Sequence, residues 1–359
     1  MRSGNGVVVG LSGGVDSAVC AALLCEQGRD VAGLYLRNVD DGGEAEASAR
    51  AAAEALDISF SVCDIRADME ARVIRNFRES YLRGHTPNPC VVCNPAVKFP
   101  ALLREAERLG VPFVATGHYA RVQEGRLYRG HPERDQSYML YRLPRSLLDR
   151  LLLPVGMWDK AAVRAYAARC GLAMAGRKDS MDICFVQGGQ ARARGRYADF
   201  LEAESGGGSS EGDFVDVSGR FLGRHRGVHH YTVGQRRGLG LPAERRLYVL
   251  ALDAERNRVI LGGEEGLLTG DIRVEELHWL DRPGQTAFAC EVRTRLSPAA
   301  HPCRVTQEGA VGAVSLEVPI RRPAPGQSAV FYRGDQVLGG GIVVREERLA
   351  APEVRNFDA

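Results

Sequence analysis

The sequence predicts an α/β plus all-β protein: an N-terminal doubly wound parallel sheet, a small central domain and a C-terminal β-barrel. Three observations carry this. From residue 6 to about residue 171, β-branched runs alternate with amphipathic stretches, as in a parallel sheet with helices on both faces. Glycine and serine then concentrate at ESGGGSSEGD (204–213), the composition of an exposed loop. Beyond it, short alternating runs are separated by turn residues, as in a barrel or sandwich. The expected domains are 1–190, 191–268 and 269–359.

Taken in order, GVVVG (6–10) is a strand, and VDSAVCAALLCEQG is a helix closing at Gly28. VAGLYL (31–36) is a strand, and EAEASARAAAEALD (44–57) is an alanine-rich helix. ISFSVCDI (58–65) is a strand followed by a helix over 67–82. LLREAERLG (102–110) is a helix, PFVATG (112–117) a strand and DKAAVRAYAARCG (159–171) the last helix of this part. The all-β part reads from RLYVLAL, NRVILGG, GDIRVEELHWL, FACEVRTRL, VGAVSLEV, SAVFYRG and QVLGGGIVV.

Composition narrows the function classes. No stretch approaches the roughly 18–20 uncharged apolar residues of a membrane span. The start, MRSGNGVVVGLSGG, has no basic region followed by a long apolar run, so no secretory signal is expected and a cytoplasmic, membrane-free protein is. Nine cysteines in 359 residues are too sparse for a disulfide scaffold. Net charge is only +2, yet seven arginines (220, 224, 226, 236, 237, 245, 246) face one acid, Glu244, between Arg220 and Arg246. That local excess points to an anionic partner. Arginine supplies 44 of the 47 basic residues; lysine supplies only Lys98, Lys160 and Lys178. Genome composition accounts for such a bias, and it is given no functional weight at this point.

Chemistry is concentrated in two motifs. Gly10-Leu11-Ser12-Gly13-Gly14-Val15-Asp16-Ser17 joins the first strand to the first helix. Glycines let a polyanion approach the backbone, and amides at a helix N-terminus point at it. Asp16 in such a loop either holds Mg²⁺ or orients the loop. Neither G-x-x-x-x-G-K-[ST] nor G-x-G-x-x-G is present. The second motif is TPNPCVVCNPAVKF (86–99), with Cys90 and Cys93 two residues apart. A C-x-x-C pair holds zinc, seats an iron–sulfur cluster, runs a redox cycle or supplies one catalytic thiol, and the spacing leaves these open. No second C-x-x-C supports a four-cysteine zinc site.

SGGVDS resembles the pyrophosphate loop of the ATP-pyrophosphatase superfamily, whose fold is adenine nucleotide alpha-hydrolase-like. TPNPCVVCNPAVKF, ATGHYAR (115–121), RDQSYML (134–140), DSMDICFV (179–186), GRHRGVHHYTVGQRRGLG (223–240), APGQSAVFY and LGGGIV follow in that order. The set, spanning residues 7 to about 343, resembles the tRNA-specific 2-thiouridylases. The resemblance implies ATP-dependent 2-thiolation of the tRNA wobble uridine, by adenylation of the C2 oxygen and sulfur transfer from a cysteine persulfide. It implies Cys184 as persulfide carrier and Cys93 as the second catalytic thiol. It places ATP on Gly10 to Ser17, Leu36 and Gly117, and the target base or tRNA on Asn88, Pro89, Cys90, His118, Arg134, Asp135, Gln136, Arg293, Thr294 and Gln327. Some members carry Asp where Cys90 stands, and a thiol there does not do the same acid–base work at neutral pH unless its pKa is lowered. Mg²⁺ is expected with ATP, and a cysteine desulfurase or sulfur-relay protein as sulfur donor. Alternatives are a [4Fe–4S]-dependent thiolase using Cys90, Cys93 and Cys184, a metabolite ligase of the same superfamily, and a non-catalytic RNA-binding protein. Cys20, Cys25, Cys63, Cys170, Cys290 and Cys303 read as small core residues.

Overall fold

The computed structural model describes residues 4–40, 42–176, 183–186, 211–242, 246–295 and 299–345. Lys178, residues 179–182 of DSMDICFV, residues 204–210 of the glycine–serine stretch, residues 191–210 of the expected central domain, Glu244 and Arg245 lie outside them.

The N-terminal sheet contains β1 (Gly6–Gly10), β2 (Asp30–Arg37), β3 (Ser59–Asp64) and β4 (Phe113–Ala115). After a hairpin of β5 (Ala120–Gln123) and β6 (Arg126–Arg129) it is completed by β7 (Leu151–Leu152). The order is β3-β2-β1-β4-β7, every pairing parallel. The helices are α1 (Val15–Glu26), α2 (Glu44–Ala55), α3 (Arg66–Met69), α4 (Arg75–Leu82), α5 (Pro89–Cys93), α6 (Phe99–Leu109), α7 (Arg145–Leu148) and α8 (Lys160–Arg169). Side chains of β1 alternate between two cores. Val7 and Val9 pack with α1, α2 and α8, whereas Val8 packs with Phe99, Leu102 and Ala106 of α6. Helices therefore cover both faces, as the doubly wound expectation requires. Small residues Ala49, Ala52 and Ala53 bring α2 close to the sheet. The chain runs outward from β1 to β3, then returns to β4 on the other side of β1. This reversal opens a crevice at the carboxyl ends of β1 and β4, where such sheets bind ligands.

Two helical stretches contain π-turns, Glu70–Ile74 between α3 and α4 and Asn94–Lys98 between α5 and α6. The second follows from sequence. Pro95 and Pro100 lack an N–H and clash with the carbonyl four residues back, so the α ladder cannot run unbroken, and a wider turn relieves it. α6 ends at Gly110, whose φ of 69° is the left-handed cap glycine adopts without strain.

The second sheet comprises β8 (Gly212–Asp216), β9 (Phe221–His225), β10 (Tyr248–Asp253) and β11 (Arg258–Gly262), in the order β10-β11-β8-β9. It is mixed, with β11 parallel to β8 and the other pairs antiparallel. Phe214, Tyr231, Val249, Val259 and Leu261 fill its core.

The third sheet contains β12 (Leu268–Trp279), β13 (Ala287–Arg293), β14 (His301–Glu308), β15 (Val311–Arg321), β16 (Ser328–Arg333) and β17 (Gln336–Val343). The order β12-β15-β14-β13-β16-β17 closes through β17 on β12, giving a six-stranded antiparallel barrel. Two strand features were not legible beforehand. β14 carries Pro302, an unusual strand residue. It pairs with Glu291 of β13, while the ladder to β15 begins only at Cys303, so no bond on that side needs its missing N–H. The β5–β6 hairpin, although in the N-terminal half, joins the barrel sheet through Gln336↔Tyr128. Its turn residues Glu124 and Gly125 have φ of 50° and 66°, the left-handed pair that matches strand twist in tight hairpins.

Candidate functional site: a phosphate loop facing a thiol cluster

β1 ends at Gly10, and the chain turns through Leu11-Ser12-Gly13-Gly14 into α1. Leu11 N–H donates to Leu34 O at 2.9 Å, which fixes the departure from the sheet. Gly13 has φ of 74°, and a Cβ there would lie 2.4 Å from Ala45 O, so no other residue fits. Ser17 Oγ donates to Gly14 O at 2.9 Å and lies 3.1 Å from Ser12 N and Ser12 Oγ, drawing the loop into a ring. Gly14 caps α1 without any side-chain acceptor. The first-turn amides of α1 are therefore available to an anion.

Asp16 has two partners absent from the sequence reading. Lys160 Nζ, at the first position of α8, donates to both of its carboxylate oxygens at 2.8 Å, and Tyr119 OH donates to Oδ1 at 2.6 Å. The carboxylate orients the loop, and with both oxygens engaged it does not fit the role of Mg²⁺ ligand. Gly117 closes the loop from β4. A Cβ at Gly117 would sit 2.7 Å from Asp16 C and Ser17 N, so the two backbones touch. Leu36 lies at the carboxyl end of β2, half-buried beside the same crevice.

The thiols gather at that end of the sheet. Asn88 Oδ1 accepts the Cys90 N–H at 3.1 Å, with Pro89 at the first helical position, so Asn-Pro-Cys is a helix start as well as a motif. Cys93 ends α5 and its Sγ lies 3.6 Å from Met69 Sδ. Cys184 arrives from far along the chain. Phe185 and Val186 are buried with Ile65, Met69, Val73 and Phe77, and Phe185 meets Phe77 edge-on at 5.3 Å. Anchoring these two residues leaves Cys184 exposed over the cluster. There its thiol interacts with Cys93, Cys90 and Lys98, and with Asn38, which follows β2. Although the residue as a whole is exposed, protein crowds its sulfur, and that desolvation raises the thiol to about 11, with the neighbouring thiols adding to the effect. Burial also raises Cys90 and Cys93. Lys98 opposes the shift at all three.

The three thiols do not form a metal cradle. Among the described residues no group of three or more His, Cys, Asp or Glu side chains is placed to hold a metal ion.

The expected RNA-contacting residues divide. His118 is held by Thr116 Oγ1 at 2.8 Å from Nδ1 and stacks on Phe99; burial, then Lys98, keeps it well below the usual imidazole range. Gln327 Nε2 donates to Thr86 O, and Thr86 N–H donates to Pro325 O at 2.7 Å. A barrel loop thus grips the chain just before Asn88. Asp135 and Arg293, by contrast, are buried against one another. Asp135 Oδ1 also accepts from Gly130 N and Ser137 N at 2.8 and 3.0 Å, and Ser137 Oγ lies 3.2 Å from Tyr332 OH. Thr294 is buried, and Gln136 Oε1 accepts the Tyr119 N–H at 3.0 Å. Asp135, Arg293 and Thr294 brace the seam between sheet and barrel, and Gln136 braces the chain after β4. Arg134 is half-buried next to them, its N–H on His131 O.

The basic stretch is also less positive than it reads. β8 lies opposite β9 with Asp213 facing Arg224, at 2.5 Å between Oδ1 and Nη1, and Asp216 meets Arg220 at 3.1 Å. Both acids precede the Arg220–Arg246 window. His229 and His230 face each other with ring centroids 4.4 Å apart.

No helix among the described residues is long and apolar enough to cross a membrane. The family model described as tRNA methyl transferase HUP domain matches residues 5–188. Those described as tRNA methyl transferase PRC-barrel domain and aminomethyltransferase beta-barrel domain match 198–263 and 269–343. The chain is 44% identical to the tRNA-specific 2-thiouridylase MnmA of Chloroflexus aurantiacus, over 95% of this chain and 99% of that one. It is 44% identical to that of Rhodospirillum centenum (95% and 92%) and 41% identical to that of Geobacter metallireducens (94% and 96%). With that identity carried through all three sheets, the chain belongs to the tRNA-specific 2-thiouridylase family.

Proposed function

We propose that this chain catalyses ATP-dependent 2-thiolation of the wobble uridine of tRNA. One observation supports the reading: Cys184, far along the chain, comes within electrostatic range of Cys93 and Cys90. The C2 oxygen of the uridine attacks the α-phosphorus of ATP and pyrophosphate leaves. The terminal sulfur of a Cys184 persulfide attacks C2, and AMP departs with the former carbonyl oxygen. The Cys93 thiolate then attacks Cys184 Sγ. The sulfur–sulfur bond breaks toward the transferred atom, which stays on C2, and the resulting Cys93–Cys184 disulfide is reduced by an external thiol. Sulfur comes from a cysteine desulfurase or a relay protein. Mg²⁺ travels with the ATP phosphates, since Asp16 is committed to Lys160 and Tyr119.

The central domain and barrel contribute the RNA surface. The arginines of the central domain supply affinity for the phosphate backbone rather than base reading. Asn88, Pro89 and Cys90 are proposed to face the target base, with Gln327 holding their approach. Methyl transfer, named in the descriptions of the matching family models, has no use for the paired thiols. The test is mass spectrometry of tRNA nucleosides after reaction with ATP and a sulfur source. A 2-thiolated wobble uridine that is lost in Cys93→Ser and Cys184→Ser but retained in Cys90→Ser is expected. Equal loss in all three, or a methylated product, overturns the reading.

A further inference from the structure

The rarity of lysine acquires meaning once the site is in view. Forty-four of 47 basic residues are arginine, so lysine is rare on this chain. Of the three that remain, Lys98 and Lys160 lie in described residues, and both sit at the site. Lys160 bridges the two oxygens of Asp16 with one nitrogen, as a compact point charge can.

Lys98 closes the π-turn Asn94–Lys98 that follows Cys93. That wide turn brings the Lys98 backbone N–H onto the Cys93 sulfur, five residues earlier. Its side chain is half-buried among Cys90, Cys93, Cys184 and His118. Among the described residues, Lys98 is a cation that acts on each of the three thiols. π-turns recur at functional sites for this reason: they re-aim side chains that a regular helix would separate.

We propose that Lys98 is a positioning residue for the sulfur chemistry, its ammonium set by the π-turn to stabilise negative charge on Cys93 and Cys184. The inference rests on the assignment of those two cysteines as the reacting pair. When either thiol gives up its proton to solvent, the anion forms beside a fixed cation and not in bare protein. An ammonium is a compact charge with no preferred plane and serves several nearby sulfurs, whereas a guanidinium presents a bulkier, planar, directed fork.

The experiment is residue-resolved iodoacetamide labelling of the full chain across pH, in the parent, Lys98→Met and Lys98→Arg. In Lys98→Met, labelling of Cys93 and Cys184 at pH 7.5 is expected to slow about tenfold, with the pH profile moved upward. Cys290, in the barrel, should be unaffected, which also reports that the variant is folded. Lys98→Arg should label close to the parent yet thiolate tRNA poorly. Unchanged labelling in Lys98→Met, or equal slowing in Lys98→Arg, overturns the proposal. Failure of the parent to thiolate tRNA overturns the proposed function and leaves the labelling result standing.

Discussion

Two sets of cysteines come together in this chain, in opposite surroundings. Cys93 and Cys184 meet by tertiary folding, with Cys184 exposed and Lys98 among them. Cys290 and Cys303 are direct cross-strand partners in the barrel wall, their sulfurs 3.6 Å apart. The hydrogen bond it shares with Cys290, burial and the carboxylates of Glu291 and Glu317 all push the Cys303 thiol upward. Proximity of two thiols is thus common to both places. The nearby charge differs in sign between them: Lys98 works against the upward shift at Cys184, whereas Glu291 and Glu317 add to it at Cys303.

The comparison breaks most sharply by substitution. Cys93→Ser or Cys184→Ser should lower tRNA thiolation by about a thousandfold, because a covalent step is lost. Cys290→Ser and Cys303→Ser should leave it within about twofold. A nucleoside assay showing comparable loss from the barrel pair would erase the distinction. The next effect is on pH. With its pKa raised to about 11, Cys184 is protonated at neutral pH, so its labelling should rise about tenfold per pH unit from 7 to 10 and level off near 11. Cys303, held higher still, should stay unlabelled until the barrel itself opens in alkali. The smallest effect sharpens the charge argument. Glu317→Gln removes one acid acting on Cys303, so the pH at which Cys303 first labels should fall slightly, with no change at Cys184.

Much of this was legible beforehand, for physical reasons. Alternating elements and SGGVDS depend on local periodicity and local geometry, so sequence reports them directly. The barrel strands read well where residues alternate, and failed at His301–Glu308, where Pro302 disguises a strand that needs no N–H on one side. Pairings across long separations were invisible. Asp135 and Arg293, 158 residues apart, look like exposed recognition charges until folding buries them together. The arginine count of the central domain omitted Asp213 and Asp216 because they sit just upstream, across a hairpin. Lys160 and Lys98 did leave a trace, in their rarity, but rarity has no meaning until geometry shows where the survivors stand.

The barrel's hold on the N-terminal half also bears on how the molecule evolves. Three separate family models describe the chain, as though it were assembled from exchangeable parts. Yet β6 hydrogen-bonds to β17, Asp135 takes its counter-ion from β13, and Thr86 is gripped by Pro325 and Gln327. A fragment ending at residue 188 would keep a buried acid without its cation, a defect of about 3–5 kcal/mol, and would release the loop leading to Asn88. Swapping in a foreign barrel to change RNA preference would meet the same obstacle unless it reproduced Arg293 and the Pro325–Gln327 turn. The N-terminal part and the barrel can diverge only in concert.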